Sequence, residues 1–160
     1  MKNAEFSIVI GDGKIIIRIS GKINETTEFP EVDFGSSNEI IFEVGELAGI
    51  NSIGIRSWIL WNKKSLQGKS VIYRNCTPAV IEQIQAFVGF IPEGAIIESV
   101  NVPYYCESCN KITSLVVVRP NSLTGMKVDI ADSVPCQSCN QTIQIDVEKS
   151  EYIEVLENKK

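Results

Sequence analysis

The sequence predicts an α/β fold followed by a small antiparallel β unit. Two observations support this prediction: strand-like and helix-like segments alternate up to about residue 100, and beyond it short strand-like segments flank two Cys-x-x-Cys pairs. Strands separated by helices require crossover connections, so the first part is expected to hold parallel strands in a mixed sheet. With 160 residues, 44% of them hydrophobic, the chain can form a substantial core. We therefore predict one domain over residues 1–100 and a second over residues 101–160.

The first part opens with a predicted hairpin. Residues 6–10 and 14–20 have the apolar character of strands, and Gly11-Asp12-Gly13 between them is a tight-turn sequence. Residues 24–38 are polar and turn-rich, with room for one short irregular helix. Further buried strands are predicted over residues 39–44, 70–74 and 95–100.

Two helices are predicted between these strands. The first begins at Asn51-Ser52 and runs to Gln67, because Asn and Ser accept hydrogen bonds from free backbone N–H groups at helix starts. The second begins at Thr77-Pro78, with Thr as the N-cap and Pro at the first helical position, and runs to Val88.

The second part shows no evident helical periodicity. Strands are predicted over residues 111–119, 126–130 and 142–147, and one more over residues 152–156. The two Cys-x-x-Cys pairs are the most specific feature of this part. They comprise Cys106 and Cys109 in the first pair and Cys136 and Cys139 in the second.

The spacing of these four cysteines predicts a metal site. A Cys-x-x-Cys turn places two sulfur ligands on one side of a tight loop, and two such turns complete a tetrahedral site that suits Zn²⁺ best. The 26 residues between Cys109 and Cys136 are enough for strands that bring the second pair back to the first. Iron in a rubredoxin-like site remains the alternative, although Asn110 and Asn140 stand where rubredoxins usually carry Gly. With four protein ligands and no open position, the ion is expected to be structural.

Composition limits the kinds of partner and the cell compartment that we expect for this chain. The net charge of −5 disfavours a large nucleic-acid surface, and residues 101–160 alone carry a net −2 before any metal is bound. No apolar run approaches the length of a membrane span. Five cysteines without a signal sequence favour a reducing cytoplasm over disulfide formation, and Cys76 is expected to be a small apolar core residue. The chain has no histidine and no evident catalytic constellation, so we do not expect an enzyme.

Several segments of the first part carry a resemblance to a known family. They are residues 21–24 (Gly-Lys-Ile-Asn), 41–54, 68–73 and the Pro-initiated helix segment 77–90. In this order and spacing they resemble the STAS domain, the fold of anti-sigma-factor antagonists. The resemblance implies a STAS-like sheet with helices, and a regulatory role through binding to a partner protein. Its partner would be an anti-sigma factor that is also a serine kinase, or another ATPase.

The resemblance also implies a phosphorylation site at Ser52. Classical members carry Asp-Ser-Ser-Gly there, whereas this chain has Asn51 in place of Asp and Ile53 in place of the second Ser. A phosphate at a helix start would face free N–H groups and the positive end of the helix dipole. Simple helix capping by Asn51 or Ser52 remains open beside phosphorylation. The implied docking surface extends to the loops at Asn24 and at Asn75–Thr77.

Two aromatic features have alternative interpretations. Trp61 is either a core residue or an exposed anchor for a partner protein. Tyr104 and Tyr105 either pack between the two parts or stack on nucleic-acid bases, and the acidic surroundings favour packing. Other functions left open are a constitutive STAS adaptor of an ATPase or transporter complex, and a nucleic-acid-binding regulator. A homodimer contact through the cysteine-containing part is also possible.

Overall fold

The computed structural model describes residues 2–35, 37–120 and 127–157. These residues contain the following strands: β1 (Glu5–Gly11), β2 (Lys14–Ile23), β3 (Glu39–Ile50), β4 (Ser70–Arg74), β5 (Ile96–Ile97), β6 (Ser99–Cys106), β7 (Lys111–Val118), β8 (Ser133–Pro135) and β9 (Thr142–Ile145). The helices are α1 (Ser52–Ser65), α2 (Pro78–Ala86) and α3 (Lys149–Glu157). The predicted α/β class is confirmed as a mixed α/β chain. None of the helices in these ranges has both the length and the apolar character needed to cross a membrane.

The first sheet has the strand order β1-β2-β3-β4-β5. The β1–β2 hairpin is antiparallel, and each following neighbour is parallel. Helices α1 and α2 are the crossovers from β3 to β4 and from β4 to β5, whereas the described residues between β2 and β3 connect the strands without a helix. Asp12 and Gly13 both have positive φ (51° and 72°), which is the backbone of a tight hairpin turn. In β2 the alternating residues Ile15, Ile17 and Ile19 are fully buried, so one face of the sheet lies on the core.

An aromatic cluster fills the space between this sheet and α1. Trp58 is buried and its indole N–H donates to the Phe90 carbonyl oxygen at 2.8 Å. Phe42 in β3 stacks on Tyr73 in β4, with ring centroids 5.1 Å apart. Cys76 is fully buried, as expected of a small apolar residue, and burial raises the pKa of its thiol.

Strand β3 is longer than the sequence predicts. The expected strand ended at residue 44, with a linker over residues 45–50, but the strand continues to Ile50. The reason is the partner: the end of β2 pairs with this extension through Gly21↔Leu47 and Ile23↔Ile50. Strand β4 pairs only up to Glu43↔Arg74, so β2 and β3 project beyond it as a two-stranded ribbon.

The second sheet is antiparallel, with the order β7-β6-β9-β8. Its central strand β6 starts beside the first sheet, where Cys76 and Val100 form an isolated parallel bridge. Nearly all buried apolar side chains of the described residues form one continuous cluster that includes members of both sheets. The predicted division at residue 100 falls inside β6 and stays a prediction.

Several predicted boundaries and one element type are wrong. Residues 152–156 lie in helix α3, not in a strand, because Tyr152, Val155 and Leu156 pack on one side of the helix and are buried. Residues 127–130 are not in a strand, while residue 126 lies outside the described residues. Helix α1 ends at Ser65 and α2 at Ala86, each two residues earlier than predicted. The described part of residues 24–38 contains no helix.

Candidate functional site

The two Cys-x-x-Cys turns lie at the ends of two hairpins. Cys106 is the last residue of β6 and pairs with Lys111, so the first turn links β6 to β7. Pro135 pairs with Thr142, so the second turn links β8 to β9. Because β9 also pairs with β6, the sheet holds the two turns side by side. The four cysteine sulfurs all lie within 4.8 Å of one another.

The sulfur geometry fits a single tetrahedral metal ion. Metal–sulfur bonds of about 2.3 Å give a tetrahedron with sulfur–sulfur edges of about 3.8 Å. The Sγ atoms of Cys106 and Cys139 are 3.6 Å apart, close to that edge. Side chains of the two turns also meet, since Ser108 Oγ donates to Gln141 Oε1 at 2.5 Å. The cluster can therefore hold a metal ion.

Backbone groups in both turns are oriented to support thiolates. The N–H of Cys109 donates to Cys106 Sγ at 3.4 Å. Hydrogen bonds from the backbone N–H groups of Cys139 and Ser138 lower the pKa of the Cys136 thiol to about 6. In the first pair the N–H of Cys109 lowers the pKa of Cys106, but burial and the neighbouring sulfurs raise it overall, and the Cys139 and Cys106 sulfurs raise the pKa of Cys109 to about 12. Thiolates are the form that binds metal ions, so the backbone N–H groups favour a thiolate at Cys136, and a bound cation would stabilise the others.

The asparagine after each cysteine pair has a structural reason. Asn110 and Asn140 have φ of 51° and 63°, in the left-handed region that Asn tolerates better than most residues. At the second turn, the N–H of Asn140 donates to the Cys136 carbonyl oxygen at 2.9 Å and closes the loop. Asn110 and Asn140 therefore adopt the left-handed conformation that Gly often adopts after the second cysteine of other Cys-x-x-Cys turns.

A helix and a loop fasten the second hairpin to the rest of the chain. Lys149 at the start of α3 forms an ion pair with Asp132, Nζ to Oδ1 at 2.8 Å. Tyr104 is buried, and its hydroxyl donates to the Ala131 carbonyl oxygen at 2.6 Å. The N–H of Asp146 donates to the Pro103 carbonyl oxygen at 2.9 Å. Tyr104 therefore packs between β6 and the segment before β8, whereas Tyr105 is exposed.

The predicted phosphorylation site lies at the start of α1. Asn51 is the N-cap, with its Oδ1 accepting from the Gly54 N–H at 2.8 Å, and Ser52 is the exposed first residue of the helix. The Asn51 Nδ2 donates to Glu25 Oε2 at 2.6 Å. A hydrogen bond from its own backbone N–H and this one from Asn51 lower the pKa of Glu25. Glu25 and Asn51 are 26 residues apart, and no local sequence pattern predicts their contact.

The structure divides the predicted docking residues into two groups. Asn24 follows β2, and its neighbour Glu25 contacts Asn51, so Asn24 and Asn51 lie together. Asn75 lies further back, where its Nδ2 donates to Glu43 Oε2 at 3.0 Å, and Thr77 next to it caps α2. From Glu43 to Ile50, strand β3 makes seven residue steps, which is roughly 23 Å of extended chain between the two groups.

Trp61 is half-buried within the first part. Its indole N–H donates to the Pro30 carbonyl oxygen at 3.1 Å. Its ring stacks on Phe29, with centroids 5.6 Å apart and planes at 23°. These contacts place Trp61 in the aromatic cluster, where it fixes the segment that follows β2 onto α1.

An apolar groove of about 440 Å³ lies between α2, the loop after it and α3. Most of its lining is apolar, including Ile84, Ile97 and Val155. Its charged lining residues are Glu93 and Glu154, two carboxylates without a basic group among the described lining residues. None of the described lining residues belongs to the cysteine cluster or to the start of α1.

No protein-family model matches this chain, and no curated protein matches it.

Proposed function

We propose that the four cysteines hold one structural zinc ion in a zinc ribbon formed by the second sheet. The support is the pair of hairpin turns that converge four sulfurs within 4.8 Å. Four protein ligands leave no open coordination position for a substrate or water, which is typical of structural rather than catalytic zinc. Residues Cys106, Cys109, Cys136 and Cys139 would bind the ion as thiolates.

Metal analysis of the purified chain tests this assignment. We expect about one zinc per chain, released on denaturation and measured by inductively coupled plasma mass spectrometry. Cys106→Ser should lose the metal, while Cys76→Ala, which removes the fifth cysteine, should keep it. If the metal analysis instead detects iron, with the visible absorption of an iron–thiolate complex, the site is assigned to iron rather than zinc. A folded wild-type chain without metal would contradict the site itself.

For the whole chain we infer a non-catalytic regulatory module that binds a partner protein, similar to an anti-sigma-factor antagonist with a STAS-like first part. The observation that carries this proposal is the exposed Ser52 at the start of α1, directly after a parallel strand of the sheet. In an open α/β sheet, binding sites lie at the carboxyl ends of the parallel strands. A phosphate on Ser52 would add about −1.5 to −2 charges to this surface and so change partner affinity.

Affinity capture with matched baits tests the proposed switch. Wild type, Ser52→Asp and Ser7→Asp would each be used to capture proteins from the native host's lysate, followed by mass spectrometry. Ser7 is also exposed but lies on β1, so Ser7→Asp controls for the added charge. We expect an ATP-binding kinase to be retained by wild type and Ser7→Asp but not by Ser52→Asp. Equal retention by all three baits would remove Ser52 from the switch.

A specific contact favours a second candidate, a constitutive adaptor of an ATPase complex. The carboxylate of Glu25 lies against Asn51, so a negative charge already stands at the start of α1. A phosphate on Ser52 would meet this charge, and repulsion would oppose the favourable helix dipole. In the adaptor hypothesis, Asn51 and Glu25 form a fixed docking surface, and Glu25→Gln weakens partner retention although Ser52→Asp does not.

A further inference from the structure

Strand β7 is a long edge strand with an exposed apolar face. Within the described part of the chain it pairs with β6 alone, so its other side presents unpaired backbone groups. Three of its side chains are well exposed: Ile112 (60%), Val116 (57%) and Val118 (61%). The segment 112–118 contains no charged residue. An edge of this kind is a template for pairing with another strand.

The two faces of β7 have different roles. Leu115 and Val117 are half-buried and pack against the core. The exposed residues Ile112 and Val116 alternate with them and lie on the opposite face, together with Ser114. The neighbouring strand β6 continues this face with Tyr105, which pairs with Ile112 and is 37% exposed. The exposed face is therefore an apolar surface that the described residues of one chain leave uncovered.

The pattern of this face is symmetric about Ser114. If two copies pair antiparallel with Ser114 opposite Ser114 of the second copy, Ile112 lies opposite Val116, and this apolar pair occurs twice. Cross-strand apolar pairs of this kind stabilise a sheet. A register centred on Leu115 would instead place Lys111 opposite Arg119 of the second copy, and like charges directly opposite are unfavourable. Of these two registers, the charge pattern favours the one centred on Ser114.

We propose that β7 is the interface for a second copy of this chain, paired antiparallel about Ser114. The two four-stranded sheets would then form one continuous sheet across a two-fold axis. The same patch is used by both copies, as a two-fold interface requires. This inference goes beyond the proposed partner binding and does not depend on Ser52.

Sedimentation equilibrium of the metal-loaded chain in reducing buffer tests the proposal. We expect a concentration-dependent dimer for wild type. Val116→Lys should raise its dissociation constant roughly tenfold or more, because each dimer contains the added charge twice next to an apolar partner. Val9→Lys is the matched control, since Val9 is equally exposed (61%) on β1, an edge strand of the first sheet. A monomer at all concentrations, or equal weakening by both variants, would overturn the proposal.

Cross-linking adds a readout that keeps the native apolar face. Ser114→Cys places a thiol at the two-fold axis, and a short bismaleimide should link two copies of this variant. Ser133→Cys places a thiol at an exposed position on β8, at the other edge of the same sheet, and should give little cross-linking. Equal yields from the two variants would show that β7 is not the interface.

Discussion

Gly54→Ala is expected to destabilise the chain because it forces α1 away from β2. Gly54 lies in the first turn of α1, and its N–H is fixed by Asn51 Oδ1. A Cβ atom added there would lie 2.7 Å from the carbonyl oxygen of Ile23 and 2.9 Å from its carbonyl carbon. These obstructing atoms belong to the backbone, so no side-chain rotation can relieve the overlap. The start of the helix must shift.

The magnitude follows from two opposing effects. Overpacking in a close contact costs about 1–3 kcal/mol, and the upper half is expected here because backbone must move. Ala favours the helix over Gly by up to about 1 kcal/mol. The net loss in the free energy of unfolding is therefore about 1–2 kcal/mol. Gly49→Ala is the control, since a Cβ at Gly49 meets nothing within 4 Å, and its stability should change by less than about 0.5 kcal/mol.

Urea unfolding of the metal-loaded variants, followed by tryptophan fluorescence, measures this difference. Trp58 and Trp61 both lie on α1, Trp58 in the core cluster and Trp61 packed against it, so their fluorescence reports the packing of this helix. The midpoint for Gly54→Ala should fall while the slope of the transition stays unchanged. A Gly54→Ala variant as stable as Gly49→Ala would refute the argument that this glycine sets the approach of α1 to β2.

Three further perturbations have defined outcomes. Cys136→Ser, or removal of metal with a chelator, should release zinc and lower the thermal unfolding temperature, which calorimetry with parallel metal analysis measures. Burial raises the pKa of Tyr104 and, to about 12, of Tyr152, so stability present below pH 10 should be lost as the pH rises toward 12. Tyr152→Phe should reduce that alkaline loss in urea titrations at each pH. Asn75 has φ of 57°, so Asn75→Val should cost about 1–3 kcal/mol in chemical denaturation and more than Asn75→Gly.

Local signals predicted the starts of both helices correctly. Asn51 or Ser52 was expected to cap α1 and Thr77 to cap α2; the side chains of Asn51 and Thr77 accept from the N–H groups of Gly54 and Val80. Pro78 takes the first position of α2, where a missing N–H costs nothing. Such signals involve groups only three residues apart, so they are independent of the rest of the fold. The cysteine spacing is informative for the same reason, since each Cys-x-x-Cys turn is a local unit.

Long-range contacts explain where sequence interpretation fails. Residues 152–156 are a short apolar run, and such a run does not distinguish a strand from a buried helix. In the structure this segment is part of helix α3, which packs on α2. Gln85 Nε2 of α2 donates to the Glu151 carbonyl oxygen of α3 at 3.3 Å. The predicted strand ended at residue 44, yet pairing with the end of β2 extends β3 through Gly45 and Gly49 to Ile50. Neither contact has a signature within its own segment.

Helix α3 connects the cysteine-containing sheet to α2 and β5 of the first part. α3 starts four residues after β9, is fixed to Asp132 by Lys149, and contacts α2 and β5. Arg119, which follows β7, donates to the Leu156 carbonyl oxygen at 3.0 Å and fastens the end of the same helix. The second hairpin is therefore connected through α3 to α2 and β5. The start of α1 lies at the end of the β2–β3 ribbon, and its capping contacts, between Asn51 and Gly54 and between Asn51 and Glu25, do not involve α3. If the chain is a regulatory module, metal binding and a modification of Ser52 would then change separate surfaces. Different partner proteins could then bind each of these surfaces.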